Sequence, residues 1–187
     1  MPRWSPDAAL RLEAAAIDLF EQHGFADTTV PQIAERAGLT TRTFFRHFGD
    51  KRDALFLRDR EFPEAVRDFV QTVPADSSPV ATVHMGLTAA CRGLQGWREQ
   101  IARRQAIIRG EPALRERDFL RRHHLGVAIE QSLVDRGVDE GQAQILAAIA
   151  VTCFDLAIDR WLAASPAPAL EDVFATVWSD VRNAMDG

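Results

Sequence analysis

Between Thr29 and Lys51 the chain carries two hydroxyl caps, a glycine between them and a closely spaced set of apolar residues. No other stretch limits the fold as strongly. Thr29-Val30-Pro31-Gln32 reads as a capping box, with Thr at the N-cap, Gln at N3, and Pro in the first turn where its missing N–H is harmless. The helix it opens is short, about residues 30–37. Gly38 supplies a backbone conformation that only glycine takes freely, and Thr40 caps a second short helix, about 41–47. Ala34 and Ala37 are small enough for the two helices to cross closely. Ile33, Leu39, Phe44 and Phe48 supply a wedge between them and against a preceding helix. Two short helices joined by a tight glycine turn form a helix-turn-helix.

The second helix is expected to project its N-terminal turn outward with Thr40, Thr41, Arg42 and Thr43, followed by Phe45, Arg46 and His47. A DNA major groove admits such a helix, and an arginine can bridge guanine O6 and N7. Thr29, at the start of one helix, and Asp50-Lys51, at the start of the next, are each placed to clamp a backbone phosphate. Charge agrees locally: residues 40–60 hold six basic and three acidic side chains, while the whole chain carries a net charge of −5. The acidic total argues against a protein that coats nucleic acid non-specifically. It suits a small DNA-contacting head on an acidic body.

Residues 5–55 resemble the DNA-binding head of TetR-family transcriptional regulators. The resemblance rests on the run from Thr28 to Lys51, above all the spacing from Ile33-Ala34 through Ala37-Gly38 to Phe45-Arg46-His47-Phe48 and Lys51. Phe45 stands where many members carry Tyr. The resemblance implies a sequence-specific dimeric regulator, a repressor released from a palindromic operator by a small hydrophobic or anionic effector. Its implied DNA-facing set is Thr29, Thr41, Arg42, Thr43, Phe45, Arg46, His47 and Lys51. Residues 112–161 resemble the subgroup that responds to acyl-coenzyme A-type ligands. The competing reading is a helical ligand-binding or interaction protein whose head does not bind DNA.

The rest of the chain also reads as helix, with no sustained apolar/polar alternation. The expected fold is all-α, with nine helices in two domains: a helix-turn-helix domain at 1–50 and a ligand-binding and dimerisation domain at 51–187. Ser5-Pro6 offers the first N-cap. Gly24 ends that helix at C′, with Phe20 and Phe25 as the apolar pair of a Schellman stop. Residues 51–73 read as one helix kinked near 59–63 by Pro63. With no apolar membrane span and no secretory h-region, the expected location is the cytoplasm. Cys91 and Cys153 stand alone and read as buried thiols. The basic residues comprise one lysine, Lys51, and 21 arginines, a bias that reads as genome composition.

Two helices in the body carry more apolar surface than one wall can bury. Residues 139–164 are apolar nearly all round, and residues 169–186 carry a stripe from Leu170 to Met185. A two-fold interface is therefore expected at Phe154, Trp161, Phe174, Val177, Trp178 and Val181. Phe62, Phe69, His84, Trp97, Phe119, His123 and Phe154 form a candidate effector pocket, though each also reads as ordinary core. The effector is expected to enter between the 51–73, 112–136 and 139–164 helices. Arg115, Arg117, Arg121 and Arg122 read as a solvated face or as an anion site. Adjacent His123 and His124 point about 100° apart on a helix and make no metal pair. Neither a cofactor nor a catalytic constellation is expected.

Overall fold

The computed structural model describes residues 7–186, without the side chains of residues 7, 58–63, 185 and 186. The α-helices are α1 (Asp7–His23), α2 (Val30–Arg36), α3 (Thr41–His47), α4 (Phe62–Thr72), α5 (Pro79–Leu94), α6 (Arg98–Gly110), α7 (Pro112–Val134), α8 (Glu140–Ala163) and α9 (Leu170–Asp186). Two 3-10 segments, Asp53–Glu61 and Gln95–Trp97, complete the set, and no strand occurs among the described residues. The Ser5-Pro6 cap lies outside the described residues. No helix among them is long and apolar enough to cross a membrane.

The chain divides into two compact units, and the break does not fall at residue 50. One unit joins Met1–Arg60 to Gln100–Arg121; the other joins Glu61–Glu99 to Arg122–Gly187. The core of the first unit collects Leu12, Ala16, Leu19 and Phe20 from α1, Ile33 and Ala37, Phe44 and Phe48, and Ala54-Leu55-Phe56. Ile108 of α6 and Leu114 of α7 complete it. Arginines from the same two helices reinforce this packing. Arg103 reaches Asp18 at 2.6 Å and Glu21 at 2.6–3.0 Å on α1, and Arg117 meets Asp53 at 3.4 Å. Pairs this exposed contribute about 0–1 kcal/mol each, so the apolar contacts hold the unit together.

The 51–73 helix expected as one kinked rod is a 3-10 segment followed by a shorter α-helix. The backbone leaves helical geometry at Phe56, with φ −121° and ψ 29°. The reason is core demand. Ala54, Leu55 and Phe56 are all buried, yet consecutive residues of a regular helix point about 100° apart. The buried Phe56 ring sits 5.2 Å from the Arg117 guanidinium and 6.0 Å from that of Arg104.

In the second unit α5, α8 and α9 pack together. Ala143, Ala147, Ala150, Cys153 and Ala157 line the inner face of α8, and these small residues permit close helix approach. Trp161 is fully buried, and its indole N–H donates to the Pro168 carbonyl at 3.1 Å. Arg98 donates to the carbonyls of Trp161, Leu162 and Ala164 at 2.9–3.2 Å. These bonds satisfy carbonyls that the end of α8 would otherwise leave orphaned. Leu170, Phe174, Val177 and Trp178 of α9 face the same interior.

That interior takes in most of the residues expected at a dimer surface. Phe154, Trp161, Phe174, Val177 and Trp178 are buried within a single chain, and Val181 is half-buried. One chain's own α5 and neighbouring helices take up the apolar surface that seemed to call for a partner. What remains outside on α8 is a narrower stripe through Ile145, Ala148, Thr152 and Leu156.

Candidate nucleic-acid interface and ligand cavity

The helix-turn-helix is built by local hydrogen bonds. The Thr29 hydroxyl accepts from the Gln32 backbone N–H, and the Gln32 side chain accepts from the Thr29 backbone N–H, closing the capping box. Thr40 caps α3, its hydroxyl accepting from the Thr43 N–H at 3.1 Å. Between them Gly38 takes φ +64°, and the N–H groups of Gly38 and Leu39 return to Glu35 and Ala34 at 2.8 Å. A Cβ at Gly38 would stand 2.9 Å from the guanidinium of Arg11. Arg11 is itself committed, donating to the Ala37 carbonyl. The positive φ is what calls for glycine here, and a side chain would in addition displace the Arg11 guanidinium.

Phe44 and Phe48 are buried with ring centroids 5.2 Å apart. They anchor α3 and turn Thr41, Arg42, Phe45 and Arg46 to solvent. These four sit at i, i+1, i+4 and i+5, which places them on one face. Phe45 is 59% exposed, an unusual position for a large aromatic unless it meets something. Thr43 is half-buried and shares a 3.0 Å hydroxyl contact with Thr40, and half-buried His47 lies beside Phe48. Thr29 and Thr40 thus act first as caps, and the outward chemistry belongs to the quartet.

Lys51 departs from its expected role. Its ammonium donates to the carbonyls of Phe25, Ala26 and Thr28 at 2.6, 3.2 and 2.8 Å, and lies 4.3 Å from the centre of the Phe25 ring. An ammonium has three protons, and all three are directed at the loop between α1 and α2. Lys51 therefore fixes that loop instead of standing free for a phosphate. The three donors of the ammonium match the three carbonyls one to one. The one lysine in an arginine-rich chain was the available signal. Asp50 does cap the next segment, accepting from the Arg52 backbone N–H at 2.8 Å and the Asp53 N–H at 3.3 Å. Burial works to raise its carboxyl, but the hydrogen bonds from Arg52 and Asp53 outweigh that and hold it below its ordinary value.

The second unit contains a cavity of about 290 Å³ between α4, α5, α7 and α8. Phe69 and Phe154 line it, with Leu125, Ile129 and Leu133 of α7. Helix α5, expected to contribute His84, forms a wall instead through Thr82, Val83, Gly86, Leu87, Ala89 and Ala90. The other candidates lie elsewhere. His84 packs against Phe174 and Trp178 at 5.6 Å, and burial followed by the Arg182 charge lowers its pKa. Trp97, Phe119 and His123 are exposed, because each falls on a solvent-facing side of its helix. The Phe62 side chain lies outside those described. Of the four arginines read as a solvated face or an anion site, Arg117, Arg121 and Arg122 engage Asp53, Asp118 and Asp155, and Arg115 is exposed. Among the described residues no group of three His, Cys, Asp or Glu could hold a metal ion.

Residues 12–58 match the family described as bacterial regulatory proteins, tetR family. The HTH-type transcriptional regulator TcmR of Streptomyces glaucescens is 37% identical over 65 residues, which span 35% of this chain and 29% of that protein. The chain thus matches less than a third of that curated relative's length. Among solved structures, the SmeT–triclosan complex aligns with a TM-score of 0.66 at 17% identity, covering 95% of this chain and 90% of that one. The Bacillus subtilis regulator FadR in complex with stearoyl-CoA gives 0.62 at 16% identity, covering 91% and 95%. At such identities these structures speak for the fold alone, and they share it across both units. By sequence, then, the chain is similar to the tetR family of bacterial regulatory proteins through residues 12–58, which hold α2, α3 and most of α1.

Proposed function

We propose that the chain is a cytoplasmic, homodimeric transcription repressor that reads a palindromic operator in double-stranded DNA and is released by a small hydrophobic or anionic effector. The observation that carries this reading is the exposed face of Thr41, Arg42, Phe45 and Arg46 on a helix anchored by Phe44 and Phe48. Short hydroxyl donors beside guanidinium groups match base edges in a major groove. Two such helices must lie about 34–36 Å apart to enter successive grooves on one side of a duplex. The α8 stripe of Ile145, Ala148, Thr152 and Leu156 is the surface assigned to the second copy. SmeT with triclosan and FadR with stearoyl-CoA support the idea of an effector, and the cavity is where it is placed here.

Selection of bound duplexes from a random pool tests the DNA reading, with a palindrome expected. Failure to enrich any sequence at low salt would defeat it. The paired variant Ile145→Asp/Leu156→Asp should run as a folded monomer in sedimentation and lose operator binding. A folded dimer would remove the α8 stripe from the interface.

A further inference from the structure

Resting on the effector reading above, we propose that the cavity takes an uncharged apolar molecule and discriminates against carboxylates and amines of the same shape. None of the described residues that line it is ionisable. Its one side-chain hydroxyl, on Thr82, is buried and donates to the Ser78 carbonyl at 3.1 Å. Two cations on neighbouring segments are already committed. Arg136 donates to the carbonyls of Val70, Val73 and Pro74 at 2.6–3.2 Å, and Arg122 pairs with Asp155 at 3.1 Å. A carboxylate or ammonium drawn in among these side chains would lose hydration and meet no ionisable lining group, the costly case for a buried ion.

The volume sets the size. About 290 Å³ sits at the lower end of the roughly 300–1,000 Å³ typical of small-molecule pockets, the scale of a medium alkyl chain or a one- to two-ring aromatic. The space exists because α5 presents Gly86, Ala89 and Ala90 where larger residues would intrude. A Cβ on Gly86 would fall 3.1 Å from the Phe69 ring, so that ring lies directly on bare backbone and forms one wall.

Calorimetric titration of the full chain with 1-decanol, decanoate and decylammonium at neutral pH tests the proposal, since the three differ in charge and hardly in shape. Decanol should bind, with each charged analogue at least tenfold weaker. A charged analogue within tenfold of decanol, or no measurable decanol binding, overturns the assignment. Two filling variants, Ala89→Leu and Ile129→Phe, locate the site. Each that keeps the melting temperature should bind decanol at least tenfold more weakly, and undiminished binding in a folded variant overturns the placement. Operator affinity is measured separately with decanol present. Decanol that binds but leaves DNA affinity unchanged would defeat the effector reading and leave the ligand class standing.

Discussion

Phe45 in the first unit is 59% exposed, whereas Trp161 in the second is fully buried, although both are large aromatics on helices. The contrast extends to their surroundings. In the first unit α3 carries its candidate chemistry on the outside, on a face whose direction follows from two caps, one glycine and two buried phenylalanines. In the second unit the candidate site is a space, and the residues around it are defined by how α4, α5, α7 and α8 leave a gap. An outward face can be specified by one short segment. A gap is specified by all the helices around it at once. The two units therefore answer differently to substitution.

The largest effects should come from the cores. Phe44→Ala and Trp161→Ala each delete a fully buried aromatic and should cost about 3–5 kcal/mol in denaturant unfolding. The comparison predicts a further difference. Partially folded Phe44→Ala should lose DNA binding while decanol still binds, and Trp161→Ala should lose the ligand first. Equal loss of both functions in both variants would mean the two units are not separable in this sense.

Lys51→Ala comes next. It removes one ammonium from three carbonyls, and hydrogen bonds to charged groups are worth about 1.5–3 kcal/mol. A stability loss of about 2–3 kcal/mol is expected. Unchanged stability together with a uniform loss of DNA affinity would restore Lys51 to the phosphate role that the sequence suggested.

Arg42→Ala should leave the melting temperature in place and cost about 1–3 kcal/mol on the best operator, relaxing preference at one base pair per half-site. An unchanged consensus in a repeat selection would take Arg42 out of base readout.

The smallest effect concerns pH. Burial first, and the nearby Glu171 charge second, push the Cys91 thiol up from 9.0 to about 12. Folding therefore favours the neutral thiol. Its contribution is complete below the unfolded value and is lost as pH rises from about 9 toward 12. By pH 10 the second unit should be less stable by about 1 kcal/mol, and Cys91→Ser should flatten that slope. Iodoacetamide should leave the thiol unlabelled in the native protein at pH 8.

Much of the first unit was legible from residue order. The caps at Thr29 and Thr40 and the positive φ of Gly24 and Gly38 are set by atoms within a few positions of each other. So is the Phe20–Phe25 pair at 5.2 Å, because short-range hydrogen bonds and steric limits need no tertiary context. The inclusion of Ile108 and Leu114 in its core was not legible. Neither was the break at Phe56 or the turning of Lys51 onto the α1–α2 loop. Each depends on residues brought together from distant parts of the chain.

In the second unit periodicity identified helices and apolar faces but not what each face meets. His84 and Phe69 look alike on a helical wheel, yet one stacks on Phe174 and Trp178 while the other borders the cavity. The sequence by itself determined the all-helical class, the helix-turn-helix and its outward arginines, since these follow from capping, chain stereochemistry and local spacing. Tertiary structure alone decided which aromatics close the core, where an unfilled volume remains, and which apolar stripe of α8 stays exposed. Burial is a property of the whole packing, and several arrangements of the same amphipathic helices satisfy one pattern of residues.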